Sequence, residues 1–374
     1  MVPNLRFSYK GDWSKRKLNE ICQFFKGNGL SKSDLSNEGF PCILYGELYT
    51  TYKNEVISDI ISKTNTTLAN PFLSRNNDLI IPGSGEDPID IAVARAIYQN
   101  DIILGGDLNI LRPKSNVSAA FLSYQLNGVR RYDIAKKAQG KSIVHLHNSD
   151  LKEVLVSIPT YDEQLHIVEL LTKIDEMIDA QIKIIDDYNS LKFGIYNWMF
   201  KENYAGYKLK QLAYIVKGDQ INNDQLLSNG SYYMMNGGTS PSGYLDSYNV
   251  SENTISISEG GNSCGYVQFN SSPFWSGGHC YTIQNVNSAL IDNKYLYHYL
   301  KHKEKEIMNL RIGTGLPNIQ KRDLENFTIL APNLSIQRKN LALFEMLDEK
   351  ISVLNEELTI LEKQKKYLLC NMFI

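Results

Sequence analysis

Cysteine is scarce and scattered in this chain. Cys22, Cys42, Cys264, Cys280 and Cys370 are odd in number and form no CxxC pair, which fits a reducing compartment and offers no thiolate metal site. Long apolar runs are missing as well: nothing approaches the roughly 18 residues of a membrane span, and the opening MVPNLRFSYKGDW lacks the apolar core of a secretory signal. The expected location is therefore cytoplasmic, away from any membrane. Nor is there charge of one sign. Lys and Arg number 39 against 41 Asp and Glu, a net charge of -2, which argues against a free-standing chain that grips nucleic acid by bulk electrostatics.

Catalytic signatures are equally sparse. Asn70-Pro71-Phe72 resembles an adenine-methyltransferase motif but lacks the second proline and any glycine-rich strand-loop for S-adenosylmethionine. Gly83-Ser84-Gly85 has no downstream Gly-Lys-Ser/Thr, so there is no phosphate-binding loop. His145 and His147 could share a metal only with a third ligand near them, and alternation along a strand accounts for them more simply. Trp275 and His279-Cys280 lie in an aromatic, glycine-rich hairpin, where packing is a better reading than a nucleophile. The expectation is no catalytic residue, no metal and no cofactor in this chain.

What is present is a duplication. Residues 140–200 and 313–373 superpose at a constant shift of 173, with identities at Gly140/Gly313, Asp150/Asp323, Leu151/Leu324, Pro159/Pro332, Gln164/Gln337, Asp175/Asp348, Lys192/Lys365, Met199/Met372 and Phe200/Phe373. After its proline, each copy runs about forty residues with no breaker except Gly194. Steps of 4 and 3 pick out an apolar stripe: Ile167, Leu171, Ile174, Ile178 and Ile185 in the first copy, and Phe344, Leu347, Ile351, Leu354, Leu358 and Leu361 in the second. A 3.5-residue repeat of this length predicts a coiled-coil seam, and two such seams in one chain can bury each other as an antiparallel pair of helices, each about 60 Å long.

Four segments follow: 1–150, a first globular head; 151–200, a first long helix; 201–331, a second head, entered near Lys201–Tyr207; and 332–374, a second long helix. The heads start alike, since WSKRKLNEI from Trp13 returns as YKLKQLAYI from Tyr207, while their middles have diverged. Both are built of short runs rich in β-branched and aromatic residues, punctuated by Gly, Asn and Pro, and 116–126 and 292–305 carry helical spacing. The fold class expected is α+β: two β-rich heads alternating with two long helices in a duplicated, pseudo-twofold arrangement. Residues 1–150 hold 18 basic and 15 acidic groups, and Arg130, Arg131, Lys136, Lys137 and Lys141 face only Asp133, a plausible phosphate-facing edge.

These features resemble the specificity subunit of type I restriction-modification enzymes. The segments that carry the likeness are IPGSGEDPIDIA with ILGGDLNILRP, TISISEGGNSCGYVQF with PFWSGGHCY, and the twice-used signature in which an aspartate and leucine precede a proline, a glutamine and an Asp-Glu pair at the start of each long helix. The family's Pro-x-x-x-Glu-Gln appears at Glu163-Gln164, but the second copy has Ile336-Gln337. The resemblance implies a non-catalytic reader of double-stranded DNA in which each head, a target-recognition domain, reads one half of a split, asymmetric site. It further implies two modification subunits that bind S-adenosylmethionine and pack on the helices, and two restriction subunits that use ATP and Mg. The other reading is a coiled-coil adaptor joining two protein- or carbohydrate-binding modules.

For DNA contact the candidates are polar loop residues near the glycines of each head. They are Lys26, Lys32, Ser33, Tyr45, Ser84, Glu86, Arg95 and Arg131 in the first, and Lys217, Asn222, Asn236, Thr239, Ser240, Tyr244, Asn262, Arg311 and Lys321 in the second.

Overall fold

A computed structural model describes residues 2–200, 204–313 and 315–374. The fold is α+β, and its compact units do not follow chain order. One comprises Met1–Ile182 with Glu356–Ile374, the other Lys183–Asn355, so each unit combines one head with a segment of each long helix. The entry to the second head expected near Lys201–Tyr207 begins on residues 201–203, which lie outside the described residues.

Four helices organise the molecule: α1 (Ala119–Asn127), α2 (Tyr161–Met199), α3 (Asn293–His302) and α4 (Leu334–Asn371). The short ones start where their caps dictate. Ser118 Oγ accepts from the Phe121 N–H, and the Asp292 carboxylate accepts from the Lys294 and Tyr295 N–H groups, satisfying donors that a helix start leaves free. The long ones start just after Pro159 and Pro332. Along α2 the stripe Ile167, Leu171, Ile174, Ile178 and Ile185 is buried or half-buried, as are Phe344, Leu347, Ile351, Leu354, Leu358 and Leu361 along α4. From Glu176 to Ile195 the residues that are not exposed are Ile178, Gln181, Ile185, Tyr188, Lys192 and Ile195, all at steps of 3 and 4. The segments run antiparallel in both units: Asp175 pairs with Lys365 and Gln181 with Glu357 in the first, and Lys192 pairs with Asp348 while Tyr196 meets Phe344 edge to face in the second.

The identities between the copies do equivalent work. Gln164 Oε1 accepts from the Ser118 N–H, and its Nε2 donates to the Pro159 and Asn116 carbonyls. Gln337 accepts from the Asp292 N–H and donates to Pro332 and Leu290, so each glutamine ties a long helix to the start of its head's short helix. Phe373 packs against Phe121 and Trp13, and Phe200 against Tyr295 and Tyr299. Gly140 and Gly313 both hold a left-handed backbone, and a Cβ on Gly140 would sit 2.0 Å from the Ile143 carbonyl oxygen. The glutamate of the helix-start motif does differ. Glu163 is fully buried, receiving both Arg6 Nε and Nη2 and Trp13 Nε1, whereas Ile336 is 37 % exposed.

In the first head a five-stranded sheet runs in the order Cys22–Lys26, Leu108–Pro113, Asp78–Pro82, Arg95–Ile97, Val56–Ile57. The second has Tyr214–Lys217, Cys280–Gln284, Thr254–Ser258, Val267–Asn270. Beside each lies a smaller sheet with a parallel pair: Ile103–Leu104 on Phe40–Ile43, and Trp275–Ser276 on Tyr232–Met235. The middles of the heads, divergent in sequence, thus share a strand plan.

Candidate nucleic-acid interface

The shared plan puts one turn at the same place in both heads. Leading out of the parallel pair, Gly105-Gly106-Asp107 turns into the strand Leu108–Pro113, and Gly277-Gly278-His279 turns into Cys280–Gln284. The Gly105 N–H donates to the Ile43 carbonyl and the Gly277 N–H to that of Met235, the matching residues of the two partner strands. Facing the turn is the end of the first sheet strand: Lys26 pairs with Asn109, and Lys217 with Tyr281. Both lysines are exposed.

A cleft opens on each turn. In the first head it measures about 630 Å³ and is lined by Lys32, Leu44, Tyr45, Gly46, Gly106 and Asp107 among others. In the second it measures about 460 Å³ and is lined by Asn236, Gly237, Gly238, Gly260, His279 and Asn318 among others. Leu44-Tyr45-Gly46 and Asn236-Gly237-Gly238 are equivalent, each following its strand of the parallel pair. The scaffold is the same and the polar groups on it differ.

In the first cleft Asp107 holds a left-handed φ of 56°, its carbonyl accepts from the Gly83 N–H, and its Oδ2 accepts from Ser84 Oγ at 3.2 Å. Partial desolvation by the neighbouring chain lowers the Lys26 ammonium pKa although the residue is largely exposed, and the charge of Asp107 opposes that shift. Behind the second cleft, next to its lining residues Gly260 and His279, lies Glu259, 8 % exposed, whose Oε1 accepts from Lys217 Nζ at 2.7 Å and Tyr281 Oη at 2.9 Å. Burial, and then the hydrogen bond to Glu259, push the Tyr281 phenol up. His279 Nδ1 lies 3.8 Å from Glu259 Oε2, and the His279 N–H donates to Asn236 Oδ1.

The expected contact residues distribute unevenly. Lys26, Lys32 and Tyr45 gather at the first turn, and Lys217 and Asn236 at the second. Ser33 is exposed on the turn Lys32–Asp34, and Glu86 is exposed beyond Ser84–Gly85. Asn222, Thr239, Ser240, Asn262 and Arg311 are exposed, Tyr244 is half-buried in the pair Tyr233–Tyr244, and Lys321 opens the helix Lys321–Glu325. Two expectations need correction. Ser84 is 4 % exposed and serves Asp107, and Arg95 is 6 % exposed, its Nε donating to the Leu48 carbonyl, so neither is a surface loop residue. Arg131 donates to the Ile89 carbonyl and lines, with Arg95, Glu55, Asp175 and Lys365, a different cleft of about 530 Å³. His279 was expected to pack; instead it is 62 % exposed while Cys280 is buried. Asp107, Glu259 and Asn318 escaped the sequence reading. The only signal for the first was that both heads place a polar residue after Gly-Gly. Among the described residues no group of three His, Cys, Asp or Glu could hold a metal ion, and no helix is long and apolar enough to cross a membrane.

The profile of the type I restriction modification DNA specificity domain matches residues 10–186 and again 201–363. The chain belongs to that family. It carries the specificity domain twice, and the adaptor reading falls away. Putative type I specificity subunits of Mycoplasma pneumoniae and Mycoplasma genitalium are 35 % and 32 % identical over 127 residues, 34 % of this chain; the match spans about a third of each relative, 34 % and 33 %. A putative MjaX specificity subunit of Methanocaldococcus jannaschii is 22 % identical over 372 positions, covering 86 % of this chain and 84 % of the relative. In fold, the type I S subunit of M. genitalium superposes with a TM-score of 0.70 at 19 % identity, covering 100 % of this chain and 99 % of that one. A chain from a study of type I R-M complex assembly and conformational transition superposes at 0.60 with 14 % identity, covering 97 % and 98 %.

Proposed function

We propose that this chain is the specificity subunit of a type I restriction-modification complex, each head reading one half of a bipartite, asymmetric site in double-stranded DNA. One observation carries this reading: two specificity domains present equivalent clefts whose framework is shared and whose polar groups are not, as two readers of different half-sites require. A net charge of -2 fits a subunit whose partners supply much of the phosphate contact.

The long helices support the partner assignment. Met177, Ile184 and Leu191 recur every seven residues along α2 and are 55, 41 and 52 % exposed; Met346, Val353, Ile360 and Tyr367 do the same along α4. A second apolar stripe beside a buried seam is what partner helices pack on. The partners proposed are two modification subunits, which bind S-adenosylmethionine and methylate adenine, and two restriction subunits, which use ATP and Mg. The chain itself is non-catalytic and works in the cytoplasm.

The test is methylome sequencing of cells that express this chain with its modification subunit. A split motif should appear, and replacing residues 207–312 with a relative's second head should change one half-site only. Methyl transfer by the isolated chain, or a chimera with both half-sites altered, would refute the proposal.

A further inference from the structure

The two Gly-Gly turns single out one position in each head. We propose that Asp107 and His279 are the specificity-determining residues at these turns, each presenting a hydrogen-bond acceptor to an exocyclic amine, cytosine N4 or adenine N6, on a base edge. This rests on the DNA-reading function proposed above.

The two turns occupy equivalent positions. The Gly-Gly pair, its parallel strand pair and the facing lysine recur in both heads, yet the residue after the glycines is a left-handed Asp in one and a His without that backbone in the other. A scaffold held constant around a varied polar side chain is how one fold reads two sequences.

The placement of Asp107 points the same way. It occupies a left-handed backbone position, where glycine alone is free of steric cost, although two glycines precede it. Retaining a carboxylate there indicates a use for the side chain. Ser84 Oγ holds Oδ2, while Oδ1 takes no hydrogen bond among the described residues and remains open to a donor at the exposed rim of the cleft. An ionised carboxylate only accepts, and the base-edge donors available to it in the major groove are the amines of cytosine and adenine.

The setting of His279 is equally specific. Glu259 is more than nine-tenths buried; its Oε1 is filled by Lys217 and Tyr281, and its Oε2 is buried with no hydrogen-bond partner. Close at hand is Nδ1 of His279, 3.8 Å away on a ring that is 62 % exposed and has room to turn. Donation of Nδ1–H to this oxygen satisfies the carboxylate and fixes the tautomer, leaving Nε2 as an acceptor. Asn236 holds the backbone of the same residue. Glu259 is thus a positioning residue that acts through His279, and in both heads the group offered to DNA is an acceptor.

The experiment uses the complex of the full chain with its modification subunit, read by methylome sequencing and by competition binding of synthetic duplexes with single base-pair replacements. Asp107→Ala should relax one base pair of the half-site read by the first head, lowering the preference for the original amine-bearing base at least tenfold, about 1.4 kcal/mol, with the other half-site unchanged. His279→Ala should do the same in the second half-site only. Glu259→Gln is diagnostic: an amide N–H facing Nδ1 would reverse the tautomer, turn Nε2 into a donor and move the preference toward a keto-bearing base, guanine or thymine. A purely structural role for Glu259 would not move it. The proposal is overturned if the motif is unchanged in both alanine variants, if the opposite half-site changes, or if all duplexes lose affinity by the same factor. A wild-type complex that deposits no split motif would instead refute the DNA-reading function itself.

Discussion

Lys365 and Lys192 are the same residue in the two copies, and the structure predicts that removing them has unequal consequences. Lys365 Nζ sits 2.7 Å from Glu55 and 2.6 Å from Asp175, whose side chains are 7 % and 5 % exposed, and Tyr124 Oη donates to Asp175 at 2.7 Å. Lys192 pairs with a single carboxylate among the described residues, Asp348, which is 38 % exposed, and lies over the Tyr196 ring. Lys365→Met leaves two buried carboxylates without the ammonium that pairs with both, Arg95 remaining near them but unpaired with either, a loss of about 3–5 kcal/mol. Lys192→Met leaves one carboxylate that water already solvates, at about 0.2–1 kcal/mol. The difference is visible in urea denaturation of the full chain, and peptide-level hydrogen exchange assigns it to the unit that contains Lys365. The pH dependence is a second check. Burial holds the Asp175 carboxyl above its ordinary value even with Lys365 in place, and loss of the lysine drives it higher. An acid whose folded pKa is raised gains folded-state stability as it takes up a proton, so the Lys365→Met penalty should shrink as pH falls from 7 toward 4. Equal losses in the two variants, or a penalty independent of pH, would refute this account of the buried cluster.

In the second unit His298 stands where Tyr124 stands in the first, six residues into its helix from the cap, and burial lowers its pKa to about 4 although Asp348 opposes the shift. The folded state then binds fewer protons than the unfolded chain between about pH 6.5 and 4, so stability present above 6.5 is lost as pH falls through that window; His298→Tyr should flatten the acid limb, measured by denaturation midpoints across pH. Gln164→Ala and Gln337→Ala each strand an N–H, buried at Ser118 and half-buried at Asp292, and two carbonyls, and each should cost about 1–3 kcal/mol, with similar effects because the bonds match. Ile185→Asp puts a charge at a seam position that is 8 % exposed and should lower the melting temperature sharply, whereas Ile184→Asp, on the exposed neighbour, should leave folding intact and weaken association with the modification subunit in pull-down.

The sequence alone determined the duplication, the two long helices and the seam. A 3.5-residue stripe and a proline at its start are local signals, and a burial pattern of that period needs no knowledge of what lies opposite. It also determined that Gln164 and Gln337 match, because one shift of 173 aligns everything from Gly140 to Phe200. The clefts were another matter. Equivalent residues there are offset by 191 at Lys26 and Lys217 but by 172 at Asp107 and His279, so no single alignment superposes them. The loops between strands differ in length, at modest entropic cost, while the ladders they connect are kept. Strand pairing restored the register, and with it the Gly-Gly turn, the facing lysine and the buried Glu259. The same holds for Arg95 and Ser84: as letters they are polar residues near glycines, and only the sheet around them shows that one is buried against Leu48 and the other supports Asp107. The helix periods were written in the chain one residue after another; the polar sites exist because distant strands meet.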